Sequence, residues 1–150
     1  MNIAFSEPYP ILYREWKRRR ELFSRGNRIR LCSAEHCRRA DLILSDRNSF
    51  RASLLPLGEL YLVSGEAFIE EAPAEGILLT GGMSRWDAVT FTSIGEERAM
   101  ICLQREVTLL GRSVFPFEKP VFYDHRLRLY KNLALGFSLA LAEQLLGEEE

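Results

Sequence analysis

Short apolar runs constrain the fold of this chain more than any other feature of it. Asp41–Ser45 (DLILS), Leu60–Val63 (LYLV) and Ile77–Thr80 (ILLT) are each bounded by polar residues or glycine, and Arg28–Cys32 (RIRLC) alternates. Runs this short suit strands; those that are apolar throughout suit strands buried on both faces, whereas helices need ten or more residues. Between them lie segments with helical signals. Ser33 is a good N-cap for a short helix over Ala34–Ala40, and Gly65 precedes another around Glu66–Glu71. Ahead of them, Pro10–Ser24 reads as a helix, with Ile11, Leu12, Trp16 and Phe23 on an apolar stripe and Gly26 as its terminator. Strands separated by helices imply βαβ units, hence parallel pairing.

After Gly81-Gly82 the pattern changes. Ala88–Ile94, Ala99–Val107 and Thr108–Phe115 are richer in β-branched and alternating residues, with Gly95 and Gly111 as turn signals. They read as a strand followed by a hairpin or meander, which Glu118-Lys119-Pro120 ends. From about His125 to Leu146 the chain is helical and apolar on more than one face: Leu129, Leu135, Leu139 and Leu146 lie off the main stripe. Such a helix must be covered on most sides. It is either central to the fold or a contact between two copies, and the second is the expectation. The chain has 150 residues, 47% of them hydrophobic, which suits one self-sufficient domain. The predicted architecture is α/β: a single domain over residues 1–150 forming a small Rossmann-like three-layer sandwich. Its N-terminal part is parallel βαβ, followed by an antiparallel C-terminal extension and a C-terminal helix.

The formal charge of −1 hides an asymmetry. Residues 1–40 hold ten Arg/Lys and four Glu, a balance of +6, which leaves −7 for the remainder. The basic stretch Arg14–Arg20 with Trp16 would suit phosphate contacts. A helix-turn-helix needs a second helix soon after it, and a strand follows instead, which argues against nucleic acid. The N-terminus lacks the pattern of a secretory signal, and Leu133–Ala142 is shorter than the ~20 apolar residues of a membrane span. Cys32, Cys37 and Cys102 are an odd number of thiols in a chain that needs no disulfide. The expectation is a cytoplasmic protein without membrane contact.

In open α/β sheets ligands bind beyond the carboxyl ends of the parallel strands. The predicted strands run there into small polar residues, which makes Ser45, Asp46 and Arg47 one candidate group. The loop Thr80, Gly81, Gly82, Met83, Ser84, Arg85 is another. Two glycines free backbone N–H groups to face an anion, and Ser84 and Arg85 add a hydroxyl and a charge. Gly-Gly is equally apt as a plain exit turn, and Asp46 as a turn cap. Cys32-Ser33-Ala34-Glu35-His36-Cys37 offers soft ligands but no second pair to complete a zinc site, so no metal and no cofactor is expected. No Walker A sequence, G-x-G-x-x-G after the first strand, Ser-His-Asp set or HExxH is present.

Leu79–Ile94 (LTGGMSRWDAVTFTSI) resembles the loop-to-strand element in the C-terminal Rossmann-like domain of Mur ligases, where a Gly-containing turn precedes an Ala-Asp-Val-type strand. The resemblance implies an α/β fold and a small-ligand edge. The family's central P-loop ATPase domain and its Asp-Asp-Tyr-Ala-His-Asn-Pro-like segment have no counterpart here, so neither ligase activity nor a catalytic residue carries over. Three functions follow from the sequence. The first is a binding or interaction module, as a homodimer through the last helix. The second is a small enzyme acting on an anionic metabolite at the Ser45–Arg51 and Thr80–Arg85 edge. The third is a basic-face adaptor for nucleic acid or an acidic protein.

Overall fold

A computed structural model describes residues 1–23 and 26–147. Ser24, the expected end of the first helix, Arg25 of the basic segment and the acidic tail lie outside the described residues. The chain is mixed α/β and consists largely of strands. In order it forms β1 (Asn2–Ser6), α1 (Ile11–Arg20), β2 (Arg30–Ser33), β3 (Arg39–Ser45), β4 (Ser49–Arg51), β5 (Leu57–Ser64) and β6 (Phe68–Glu71). Then follow β7 (Ile77–Gly81), β8 (Val89–Ile94), β9 (Arg98–Leu103), β10 (Val107–Leu109), β11 (Arg112–Val114), β12 (Phe117–Phe122) and α2 (Leu129–Leu146).

Among the described residues, eight strands make one sheet in the order β12-β9-β8-β7-β5-β3-β1-β2. From β2 to β8 the neighbours are parallel, β7 and β8 meeting only at Gly81 and Val89, whereas β8, β9 and β12 are antiparallel. The parallel first half and antiparallel second half match the sequence patterning.

Alternation along the central strands sends side chains to two different layers. Ile3, Phe5, Leu42, Leu44, Leu60 and Leu62 face a core shared with Leu12 and Trp16 of α1 and with Leu133, Phe137 and Leu141 of α2. Ala4, Ile43, Tyr61 and Val63 face the other way, against Phe50 of β4. On that second face the crossovers themselves form the cover. Cys32 of β2 and Cys37 of the link after it pack against the cluster that holds Ala4 and Ala40, and β4 pairs in parallel with β6 as a small ribbon.

This second face departs from the sequence expectation. Glu66–Glu71 is a turn and strand β6 rather than a helix, because Phe68 and Ile69 pair with Ser49 and Phe50. Ala34–Ala40 shrinks to a 3₁₀ turn over Ala34–His36, capped by Ser33, since Cys37 is already extended and Arg39 begins β3. One face therefore carries both helices and the other a β-ribbon. Pro120 does not end the antiparallel part: β12 runs through it, pairing Pro120 with Met100, which an edge strand tolerates.

The expectation of a dimer through the last helix rested on its apolar circumference. The chain itself provides that cover, for 14 of the 18 residues of α2 are buried within it. No described helix is long and apolar enough to cross a membrane. The helix lies so close to the sheet at Gly136 that a Cβ there would sit 3.0 Å from Val121 Cγ2. It is fastened to α1 by Trp16 Nε1, which donates to Ser138 Oγ at 2.7 Å.

The β10–β11 hairpin turns on Leu110 (φ 56°) and Gly111 (φ 70°). A leucine in the left-handed region is strained by roughly 1–2 kcal/mol, and two-residue turns of this shape favour Asn-Gly. Leu110→Asn should therefore raise stability by about 0.5–1 kcal/mol in urea denaturation. A lower midpoint would show that the leucine side chain contributes more than its backbone strain costs.

Candidate functional site

The parallel strands bring their carboxyl ends together, and most of the buried polar side chains gather there. Ser6, Ser45, Asp46, Asp87 and Lys131 are all buried at this edge. Two clefts open on it, of about 700 and 540 Å³, sharing Asp46, Arg47, Asn48 and Arg128. The first extends to Pro8, Tyr9, Arg126 and Lys131, and the second to Ser64, Glu66, Gly82, Ser84 and Asp87.

The strand order explains the first cleft. From β1 the chain leaves through α1 to β2 on one side; from β3 it leaves toward β5 on the other. Neighbouring parallel strands whose connections diverge to opposite faces leave a crevice at their carboxyl ends. Pro8 and Tyr9, just beyond β1, form one wall and Asp46, Arg47 and Asn48, just beyond β3, the other.

Asp46 forms a buried ion pair with Lys131 in the first turn of α2. Arg128, its side chain 74% exposed, also donates to Asp46, at 3.2 and 3.3 Å. Arg47 differs. Its guanidinium is held by neutral acceptors, Ser6 Oγ at 2.9 Å and the Glu7 carbonyl at 3.1 Å. The Glu7 carboxylate is used elsewhere, accepting from the Leu12 and Tyr13 amides at the start of α1. Burial raises the Glu7 carboxyl above its usual range, against those amide bonds and the charge of Lys131. Arg47, Arg128 and Lys131 thus line one crevice with Arg126, and Asp46 is the one acid among its lining residues.

The glycine loop does something the sequence did not suggest. Gly65 and Gly82 pack directly on the buried Asp87, where a Cβ would fall 2.3 and 2.6 Å from its carboxylate oxygens. Asp87 Oδ2 accepts from the Ser84 amide at 3.0 Å, and the Gly82 amide donates to Val89 O. The loop wraps its own carboxylate and spends these amides internally. Gly81, Gly82 and Ser84 share the second cleft with Asp46 and Arg47. Ser45 lies in an adjoining hollow with Ser6 and Glu35. Thr80 and Arg85 are not part of the cleft lining; Arg85 stacks on the exposed Trp86 at 4.6 Å.

Asn132 organises the turn that presents the arginines. Its Nδ2 bonds the carbonyls of Asp124, Leu127 and Arg128, and its Oδ1 accepts from the Asp124 amide. Asp124 in turn grips Arg126 through the Arg126 amide, Nε and Nη2, which pulls its carboxyl down to about 2. His125 Nε2 lies 2.7 Å from the Gly95 carbonyl, and its ring is 4.7 Å from that of Tyr123. Elsewhere, the Cys32 and Cys37 thiols are 3.0 Å apart, and burial with the Cys37 contact pushes Cys32 up to about 12. Among the described residues no group of three or more His, Cys, Asp or Glu could hold a metal ion.

Comparison with known proteins finds no family model and no curated protein that matches this chain.

Two outcomes test this geometry. Asp46→Ala leaves the Lys131 ammonium buried beside a void and should cost about 3–5 kcal/mol, whereas Asp46→Leu with Lys131→Met should recover most of it. Equal losses in the two variants would mean that the pair carries no mutual stabilisation. The Asp124 carboxyl should titrate near 2 by carbon NMR and return toward its ordinary range in Arg126→Gln. Because its folded value is depressed, the stabilisation is full above the ordinary carboxylate range and is lost as pH falls through about 2.

Proposed function

We propose that the protein is a binding module for a small anion, a carboxylate or phosphate, held in the crevice between β1 and β3. One observation carries the reading: Arg47 stands exposed at the point where the connections diverge, held by neutral acceptors and with no carboxylate ion-pair partner among the described residues. Lys131 and Arg128 add cationic character around it, each paired with Asp46. A carboxylate or phosphate would meet Arg47 in the fork geometry that guanidinium favours. The glycine loop supplies shape to the neighbouring cleft; its Ser84 amide serves Asp87 and its Gly82 amide the Val89 carbonyl. The likeness of residues 79–94 to Mur ligases adds to this reading only an α/β fold and a ligand edge.

A second reading is an enzyme acting on the anion. The Lys131–Asp46 pair favours it, because a buried amine against a carboxylate is a proton donor and acceptor at the crevice wall. A cytoplasmic setting agrees with three thiols in a fold that needs no disulfide.

Calorimetric titration with inorganic phosphate and with citrate tests the binding reading. One of them should bind with one-to-one stoichiometry, and Arg47→Ala should weaken it about tenfold to hundredfold, the value of a charged hydrogen bond. Binding of neither, or binding unchanged in Arg47→Ala, overturns the proposal.

A further inference from the structure

A second concave surface lies away from the carboxyl edge, where the end of α1 and the outer half of α2 meet the edge strand β12. It is a groove of about 510 Å³, within the roughly 300–1,000 Å³ usual for small-molecule sites. Its apolar wall is unusually open. Leu22 is 87% exposed and Phe122 50%, and Val121 and Leu139 continue the surface between them. Contiguous exposed apolar surface rimmed by charge marks a binding site more often than a bare surface does.

The rim is one-sided. Arg18, Arg19, Arg98, Lys119 and Arg126 line the groove, and Glu143 is the one acid among its lining residues. Two of these cations are already matched: Arg18 to Glu15 at 2.6 Å, and Arg126 to Asp124 at 2.9 Å. Arg98 and Lys119 have no carboxylate partner among the described residues, Lys119 resting near the Phe117 ring.

Arg19 is the most informative of them. Its side chain is only 10% exposed and lies over the Phe122 ring at 5.1 Å. Its nearest carboxylate, Glu15, is 3.7 Å away and is engaged more closely by Arg18. Arg19 Nη2 is buried without any hydrogen-bond acceptor. Burial lowers the affinity of Arg19 for its proton, as expected of an under-compensated cation. A buried donor left unused is costly, and such a group in a native structure calls for an explanation.

We infer that this groove binds an amphiphilic carboxylate, a small molecule with one acidic head and an apolar body. The head meets the Arg19, Arg98 and Lys119 charges while the body lies along Leu22, Phe122, Val121 and Leu139. An incoming peptide strand is disfavoured, because Pro120 interrupts the donors of β12 and Lys119 guards the same edge. The inference is independent of the crevice reading, although Arg126 stands on the ridge between the two sites.

Decanoate, decanol and acetate separate the contributions, with binding followed by calorimetry and by amide shifts in the NMR spectrum. Decanoate should bind one-to-one, with decanol and acetate each at least tenfold weaker. Arg19→Met, which keeps the apolar stem, should weaken decanoate tenfold or more. Because Arg19 is buried, Arg98→Gln with Lys119→Gln is the companion variant, and it should weaken decanoate several-fold while leaving the fold intact. Arg47→Ala should leave decanoate binding unchanged, so failure of the crevice reading is distinguishable from failure here. The inference is overturned if decanoate does not bind, if decanol binds as tightly, or if the double variant binds decanoate as the parent does. It is also overturned if poly-glutamate or a DNA duplex displaces decanoate from the groove, since the occupant would then be a macromolecule.

Discussion

A sheet whose central strands are buried on both faces needs two covers, and this chain places both of its described α-helices on the same side. Everything else follows from that imbalance. The helical side buries Trp16, Leu133 and Phe137 and closes over them with an α2 that is apolar nearly all round, while Phe50 and Tyr61 fill the opposite face. The other side is covered by chain that must in any case return between parallel strands. Residues 34–38, β4 and β6 serve as connection and layer together, with Ala4 small enough for the first of them to pass close by.

The same arrangement concentrates charge. Connections that depart to opposite faces leave an opening between β1 and β3, and the first turn of α2 falls over it. Lys131 is thereby buried on Asp46, and Arg128 and Arg126 are delivered to the rim by the Asn132-braced turn. The basic N-terminal segment is spent differently. Lys17, Arg18, Arg19 and Arg20 occupy the last turn of α1, where positive charge complements the helix dipole, and Arg20 also bonds the Ile29 carbonyl. The helix is followed by a 3₁₀ turn and β2, so no recognition helix accompanies it.

The strands that bury both faces were legible because local composition suffices: DLILS, LYLV and ILLT became β3, β5 and β7 with ends shifted by a few residues. The second layer was not, because FIEE is short and half charged, and its pairing with Ser49–Arg51 is what makes it a strand. Asp46 and Arg47 were visible as residues following a buried strand. Their partners were not, since Lys131 and Arg128 lie more than eighty residues away and look like ordinary helix-start cations. Asp87 was hidden for the opposite reason: it sits close to the glycine loop, and only the packing of Gly65 and Gly82 on its carboxylate reveals that the loop is built around it.

Pro120 has an effect on the population of molecules as well as on the single one. An eight-stranded sheet has two open borders, and each is a potential seed for strand-by-strand growth. At the β12 border an imino acid breaks the run of donors, so growth there is poorly templated. The β2 border has no proline and only four residues, Arg30–Ser33, with Arg30 exposed. Of the two borders of this sheet the β2 one is the better template for a further strand, and its brevity is the main barrier against growth there.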